Sequence, residues 1–191
     1  MNNLEYVRVT EVLYPFSGLM KIDPAILKNA ADRGTLVHQI CDALIWGIPI
    51  PQEIQEQISG NELIAWYTES FNKWYTDKQF FEKPERFYCD KYMITGECDG
   101  IYQDGDALVL VDFKTPIKES HTWKLQASAY YYLAKKKGYD IKRIEFVKLS
   151  REGKEPTVFV YEPDFDMFLH HLEAYRYSFH KIKQPEDLDF I

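Results

Sequence analysis

Asp112 and Lys114 stand two residues apart at the end of the apolar run ALVLVDFK, which follows the turn-forming Gln103-Asp104-Gly105-Asp106. Such a run reads as a buried strand. Residues two apart in a strand leave the same face, so Asp112 and Lys114 project together while Phe113 points the other way into the core. A carboxylate beside an ammonium can hold a cation and a water next to one another, with the backbone carbonyl of Phe113 as a further oxygen ligand. Taken alone, the same triplet also describes a surface ion pair on an edge strand.

Asp99 joins this pair only if the hairpin register allows it, because a one-residue slip sends a strand's side chains to the opposite face. A two-residue turn at Asp104-Gly105 pairs Asp99 with Leu110 and leaves Asp112 its diagonal neighbour on the same face. A turn centred one residue later pairs Asp99 directly with Asp112, and a three-residue loop separates the two faces. Two converging aspartates repel, and Lys114 alone cannot satisfy both. A divalent cation resolves the conflict by taking oxygen ligands from each. Gly96 and Gly100 flank Asp99 and are expected to keep the backbone slim where a substrate phosphate approaches.

The elements that must position these residues follow from hydrophobic spacing. Asp23-Pro24 opens a helix that runs to Trp46, either unbroken or interrupted near Gly34, and Gly47 to Pro51 ends it. A second helix, Asn61 to Tyr75, buries Leu63, Trp66, Tyr67, Phe71 and Trp74. Between Arg86 and Thr115 a strand pair flows into the buried strand. Ser120 to Lys137 is helical, with Leu125, Ala129, Tyr132 and Leu133 on one face and Gly138 as its stop. Lys135, Lys136 and Lys137 complement the dipole at its end. Ile141 to Leu149 and Thr157 to Tyr161 are strands around an Arg151 to Lys154 turn, and a last helix spans Asp164 to Lys183. The order is α-α-β-β-β-α-β-β-α, an α/β (α+β) chain.

The 191 residues are 46% hydrophobic without a repeat, which predicts a single domain over residues 1–191. Its tail, Gln184 to Ile191, is expected to be flexible and dispensable to the core. With 14 Tyr and 12 Phe, the core needs neither disulfides nor a structural metal. Cys41, Cys89 and Cys98 supply neither a disulfide framework nor a four-cysteine cluster, and they suit a reducing cytosol. No apolar run reaches the roughly 18 residues needed to span a bilayer, and MNNLEYVRVT lacks the order of a signal peptide. A soluble, cytoplasmic protein without membrane contact is expected. The formal charge of −7 argues against broad coating of nucleic acid, but metal ions can convert an acidic pocket into a phosphate site.

GECDG (96–100), VDFKT (111–115) and QASAY (126–130), in that order, resemble the PD-(D/E)XK nucleases, particularly their RecB-like exonuclease branch. VTEVL (9–13) and RGTLVH (33–38) extend the likeness upstream. The resemblance implies a restriction-endonuclease-like core, a central mixed β-sheet flanked by helices. It further implies that His38, Asp99 and Asp112 ligate one or two Mg2+ or Mn2+ ions, and that Lys114 orients or activates the attacking water. Gln126 and Tyr130, four apart on one helix face, correspond to residues that steady the active site and the nucleic-acid strand. Glu85, placed on the strand before Asp99, corresponds to an accessory acid, with Glu82 and Glu97 as rivals.

The chain departs from the family pattern where Cys98 precedes Asp99 in place of proline. It also lacks the cysteines for the iron-sulfur cluster of many relatives, so none is expected. The implied partner is DNA, single-stranded or at duplex ends, together with a recombination or replication protein, in a setting such as phage DNA processing. Two other readings use the same residues: a nuclease-like module that binds DNA ends or a partner without cutting, and an RNA or structure-specific nuclease. Bland roles also exist for single residues, a hydrogen-bonded core histidine for His38 and helix packing for Gln126 and Tyr130.

Overall fold

Both faces of the run 107–114 are covered, which is why its sequence is continuously apolar rather than alternating. The computed structural model describes residues 5–179. The elements are β1 (Val7–Arg8), α1 (Val9–Leu13), α2 (Pro24–Trp46), α3 (Gln52–Gly60), α4 (Glu62–Tyr75), β2 (Gln79–Glu82), β3 (Phe87–Cys89), β4 (Ile94–Gly96), β5 (Gly100–Asp104), β6 (Ala107–Lys114), α5 (Thr122–Lys137), β7 (Ile141–Lys148), β8 (Thr157–Val160) and α6 (Phe165–Ser178). The main sheet has the order β2-β5-β6-β7-β8, antiparallel except for the parallel β6/β7 pair. A separate three-stranded sheet, β1-β4-β3, joins β1 parallel to β4 and β3 antiparallel to it. The architecture is thus mixed α/β with two mixed sheets.

Alternate residues of β5 and β6 feed two cores. Ile101 and Leu110 pack with α1, α5, α6 and the small sheet, through residues such as Val12, Tyr130 and Phe168. Tyr102, Val109, Val111 and Phe113 pack with α2 and α4, through Ile40, Tyr67, Phe71 and Trp74. α2 and α5 therefore lie on opposite faces of the main sheet.

Several expectations are resolved or corrected. α2 runs through Gly34 without interruption and ends at left-handed Gly47, its N-terminus capped by the Asp23 carboxylate. The strand region upstream of β6 holds three strands in two sheets. β3 and β4 turn on each other through Met93, whose φ is 46°, and belong to the small sheet. α3, which fully buries no residue and leans on the core through Ile54 and Ile58 alone, and β2, a largely exposed edge, are additions to the expected elements. The end of the predicted last helix beyond residue 179 and the tail Gln184–Ile191 lie outside the described residues. Among those described, no helix is long and apolar enough to cross a membrane.

Candidate active site

The β5–β6 hairpin turns on Gly105-Asp106, with Gly105 at a left-handed φ of 58°, and pairs Asp104 with Ala107 and Gly100 with Val111. Of the registers the sequence allows, the paired residues follow the later-centred one. The ladder stops at Gly100. Asp99 donates its N–H to the Val111 carbonyl at 3.1 Å, and its Oδ2 accepts the Phe113 N–H at 2.5 Å, so a carboxylate stands where strand β5 would have supplied a carbonyl. On the other edge of β6, the Lys114 carbonyl accepts the Leu149 N–H at 2.8 Å. Because hydrogen-bonding direction alternates along a strand, the Phe113 carbonyl faces the Asp99 side.

The termination of β5 lets both helical layers reach one place. His38, from α2, brings Nδ1 to 2.8 Å from Asp99 Oδ1, its ring edge-on to Phe113. From the opposite layer, α5 brings Gln126 and Tyr130. The Lys114 ammonium donates to Gln126 Oε1 at 2.9 Å, and Gln126 Nε2 donates to the Tyr130 hydroxyl at 2.9 Å. Lys114 also lies 2.6 Å from Asp112 Oδ2 and 4.7 Å from the centre of the Phe146 ring, a face that favours a cation. His38, Asp99, Asp112, Lys114, Gln126 and Tyr130 line one cavity of about 610 Å³.

Burial and charge set the acid–base character of the site. Asp112 is buried, and burial followed by the charge of Asp99 raises its carboxyl to about 6 despite Lys114. Asp99 moves the other way: burial would raise it, but the charge and hydrogen bond of His38, the Phe113 N–H and Lys114 together hold it below the ordinary carboxylate range. Burial pushes His38 down, and the charge and hydrogen bond of Asp99 with the charge of Asp112 outweigh it, leaving the imidazole above its usual value. Burial raises the Tyr130 hydroxyl and the Cys98 thiol well above theirs, so both stay protonated near neutrality.

Whether these residues suit a metal ion turns on Asp112. Its Oδ2 is solvent-inaccessible and is met by the Lys114 ammonium at 2.6 Å, with no other hydrogen-bond donor. A buried carboxylate keeps further acceptor positions that are costly to leave unmet. Two carboxylates, a backbone carbonyl and an imidazole are donors that hard divalent cations accept. Among the described residues no three His, Cys, Asp or Glu side chains are grouped so as to hold a metal ion, and Asp99 is engaged by His38 and the Phe113 N–H. Ligation through Asp99 or His38 thus means exchanging their mutual contact.

Glu85 is not brought to the site. It lies in the β2–β3 connection rather than on a strand, its side chain is 85% exposed, and it faces Lys137 at 3.7 Å. Glu82 accepts from the Tyr139 hydroxyl, whereas Glu97 lines the cavity and pairs with Arg86 at 2.5 Å. The two glycines also have other work than admitting a substrate. A Cβ on Gly96 would come within 2.7 Å of the Tyr130 ring, and one on Gly100 within 2.4 Å of Phe80. Sequence reasoning missed the cavity's mouth: Arg8, Lys83, Arg86 and, on α2, Thr35, Gln39 and Asp42. The last three share the helical face of His38 at spacings of three and four, a signal that was available.

No family model and no curated protein matches the chain. Among solved structures, the protein SSO0001 aligns over 91% of this chain and 76% of its own at 16% identity, with a TM-score of 0.41. A putative exonuclease from Eubacterium rectale aligns over 90% and 79% at 11% identity, with a TM-score of 0.48.

Proposed function

We propose that the chain is a metal-dependent nuclease that hydrolyses DNA phosphodiester bonds from strand ends. The observation that carries this reading is the convergence of His38, Asp99, Asp112 and Lys114 on one cavity, with the Lys114 ammonium 2.6 Å from a buried Asp112 oxygen. Asp112 and Asp99, with His38 and the Phe113 carbonyl as further donors, would hold Mg2+ or Mn2+, and such an ion supplies Lewis-acid stabilisation of charge on phosphate oxygens. Lys114 contributes an ammonium held by Gln126 and Asp112 on a rigid strand. It donates to the attacking water or to a phosphate oxygen and stabilises developing negative charge in a water-poor setting. Gln126, itself braced by the Tyr130 hydroxyl, fixes the direction of that ammonium.

A binding module that cuts nothing is favoured by one observation, the His38–Asp99 contact that occupies two of the proposed ligands. Both readings are separated by incubating end-labelled linear and closed circular DNA, single-stranded DNA and RNA with Mn2+, Mg2+ or EDTA, with Asp112→Asn and Lys114→Ala as controls. Metal-dependent loss of linear DNA alone, absent in both variants, is the expected result. Full activity of Lys114→Ala removes its assigned role, and inactivity toward every substrate favours the binding module.

A further inference from the structure

Three cations stand at the mouth of the cavity whose floor carries Asp99, Asp112 and Lys114. Lys83 and Arg86 come from the irregular β2–β3 connection, anchored between them by buried Pro84, and Arg8 comes from the β1–α1 junction. Lys83 pairs with Asp42 of α2 at 2.5 Å, with side chains 52% and 35% exposed. Arg86 pairs with Glu97 at 2.5 Å, with side chains 35% and 46% exposed. Arg8 is exposed and has no acidic partner among the described residues. In a chain of net charge −7, this mouth holds three cations against two acids.

We propose that Arg8, Lys83 and Arg86 form a phosphate track that leads one strand of DNA to the floor of the cavity, with Asp42 and Glu97 holding two of the cations until phosphates replace them. The inference rests on the nuclease reading and adds the form of the substrate. Ion pairs this exposed contribute little, so a polyanion that also releases counterions displaces the two carboxylates readily. Phosphate contacts of this kind position a strand without reading its sequence. A cavity of about 610 Å³ has the volume of pockets that enclose one small molecule. A strand therefore enters it separated from its complement.

The test is fluorescence anisotropy of a fluorescein-labelled oligothymidylate against the full chain, in EDTA and again with Ca2+, over a salt series. Arg8→Ala, Lys83→Ala and Arg86→Ala are each expected to weaken binding about 5- to 10-fold and to lower the salt slope by about 0.7. Lys142→Ala, remote from the cavity, leaves both unchanged, and Asp42→Asn or Glu97→Gln tightens binding. Circular dichroism establishes that each variant is folded. Wild-type affinity and slope in all three cation variants, no binding of the oligonucleotide, or equal affinity for a blunt duplex overturns the track. A chain that binds through these residues yet cuts no DNA keeps the track and loses the nuclease reading. One that cuts while the three variants bind as wild type loses the track alone.

Discussion

The Gln126 amide oxygen accepts from the Lys114 ammonium at 2.9 Å, while its nitrogen is committed to the Tyr130 hydroxyl, so the amide cannot flip without breaking both bonds. Gln126→Ala releases the ammonium from this bracket and leaves Asp112 as its remaining polar neighbour. Cleavage is expected to fall by about 10- to 100-fold, as for other residues that orient a reacting group. Gln126→Glu, which keeps the acceptor, should restore part of it. The rates, compared at saturating substrate, decide; equal rates in all three proteins would show that Lys114 needs no such support.

Gly96 leaves no room for a side chain, since a Cβ would meet Tyr130 Cε1 at 2.7 Å and Leu133 Cδ1 at 3.1 Å. α5 is packed on several sides and cannot simply retreat. Gly96→Ala should therefore destabilise the fold by about 1–3 kcal/mol, read as a lower urea midpoint. It should also slow cleavage through Tyr130 and Gln126. An unchanged midpoint would mean that the small sheet slides on α5 more easily than this packing implies.

Asp112 has a raised carboxyl pKa, about 6 against an ordinary 3.8, with burial as the main cause. The folded state thus prefers the protonated form, and the carboxylate lowers stability progressively as pH rises from about 4 to about 6. Asp112→Asn is expected to be inactive yet more stable than the native protein at pH 8 by roughly 1–2 kcal/mol, the shift being partly cancelled by the amide's own unmet donor. The gap should close by pH 4. Urea denaturation at the two pH values in EDTA tests the sign, and a less stable variant at pH 8 would contradict it.

An ion that binds the folded chain through Asp112 must stabilise it. Mn2+ at a hundred times its dissociation constant adds about 2.7 kcal/mol, which raises the Tm of a domain of this size by roughly 5–10 °C. The Asp112→Asn protein should show no such rise. This measurement needs no substrate, and equal shifts in both proteins would place the ion elsewhere.

The parts of the fold written in long periodic runs were legible in the sequence: α2, α4, α5 and the β5–β6–β7 core, where burial dictates residue type over many positions. The face shared by Asp112 and Lys114 followed from strand parity alone. What was hidden lies where burial imposes no pattern. α3 is short and only Ile54 and Ile58 of it lean on the core, β1 is two residues long, and the allocation of β3 and β4 to a second sheet depends on tertiary packing. That the rings of Tyr130 and Phe80 pack on Gly96 and Gly100 was equally hidden. The hairpin register was left open because Gly105-Asp106 and Asp104-Gly105 are both good turns. The His38–Asp99 contact joins residues 61 apart in the chain, beyond the reach of local reasoning.

That contact gives the last prediction. Asp99, whose carboxyl burial would raise, is held below its ordinary range by His38 and its other neighbours, so its contribution is present above about pH 3.8 and lost as pH falls through the lower folded value. His38, which burial would lower, is raised chiefly by Asp99. Its contribution is complete below about pH 6.5 and lost as pH rises through the higher folded value. The pair therefore stabilises most between those limits. His38 is 37% exposed and Asp99 22%, so solvent screening limits the effect to about 1 kcal/mol. The difference in unfolding free energy between the native protein and His38→Ala, measured in EDTA, should be largest near pH 5.5 and smaller at both pH 3 and pH 8.5. A difference that does not vary across this range would mean that His38 contributes by packing against Phe113 and not by charge.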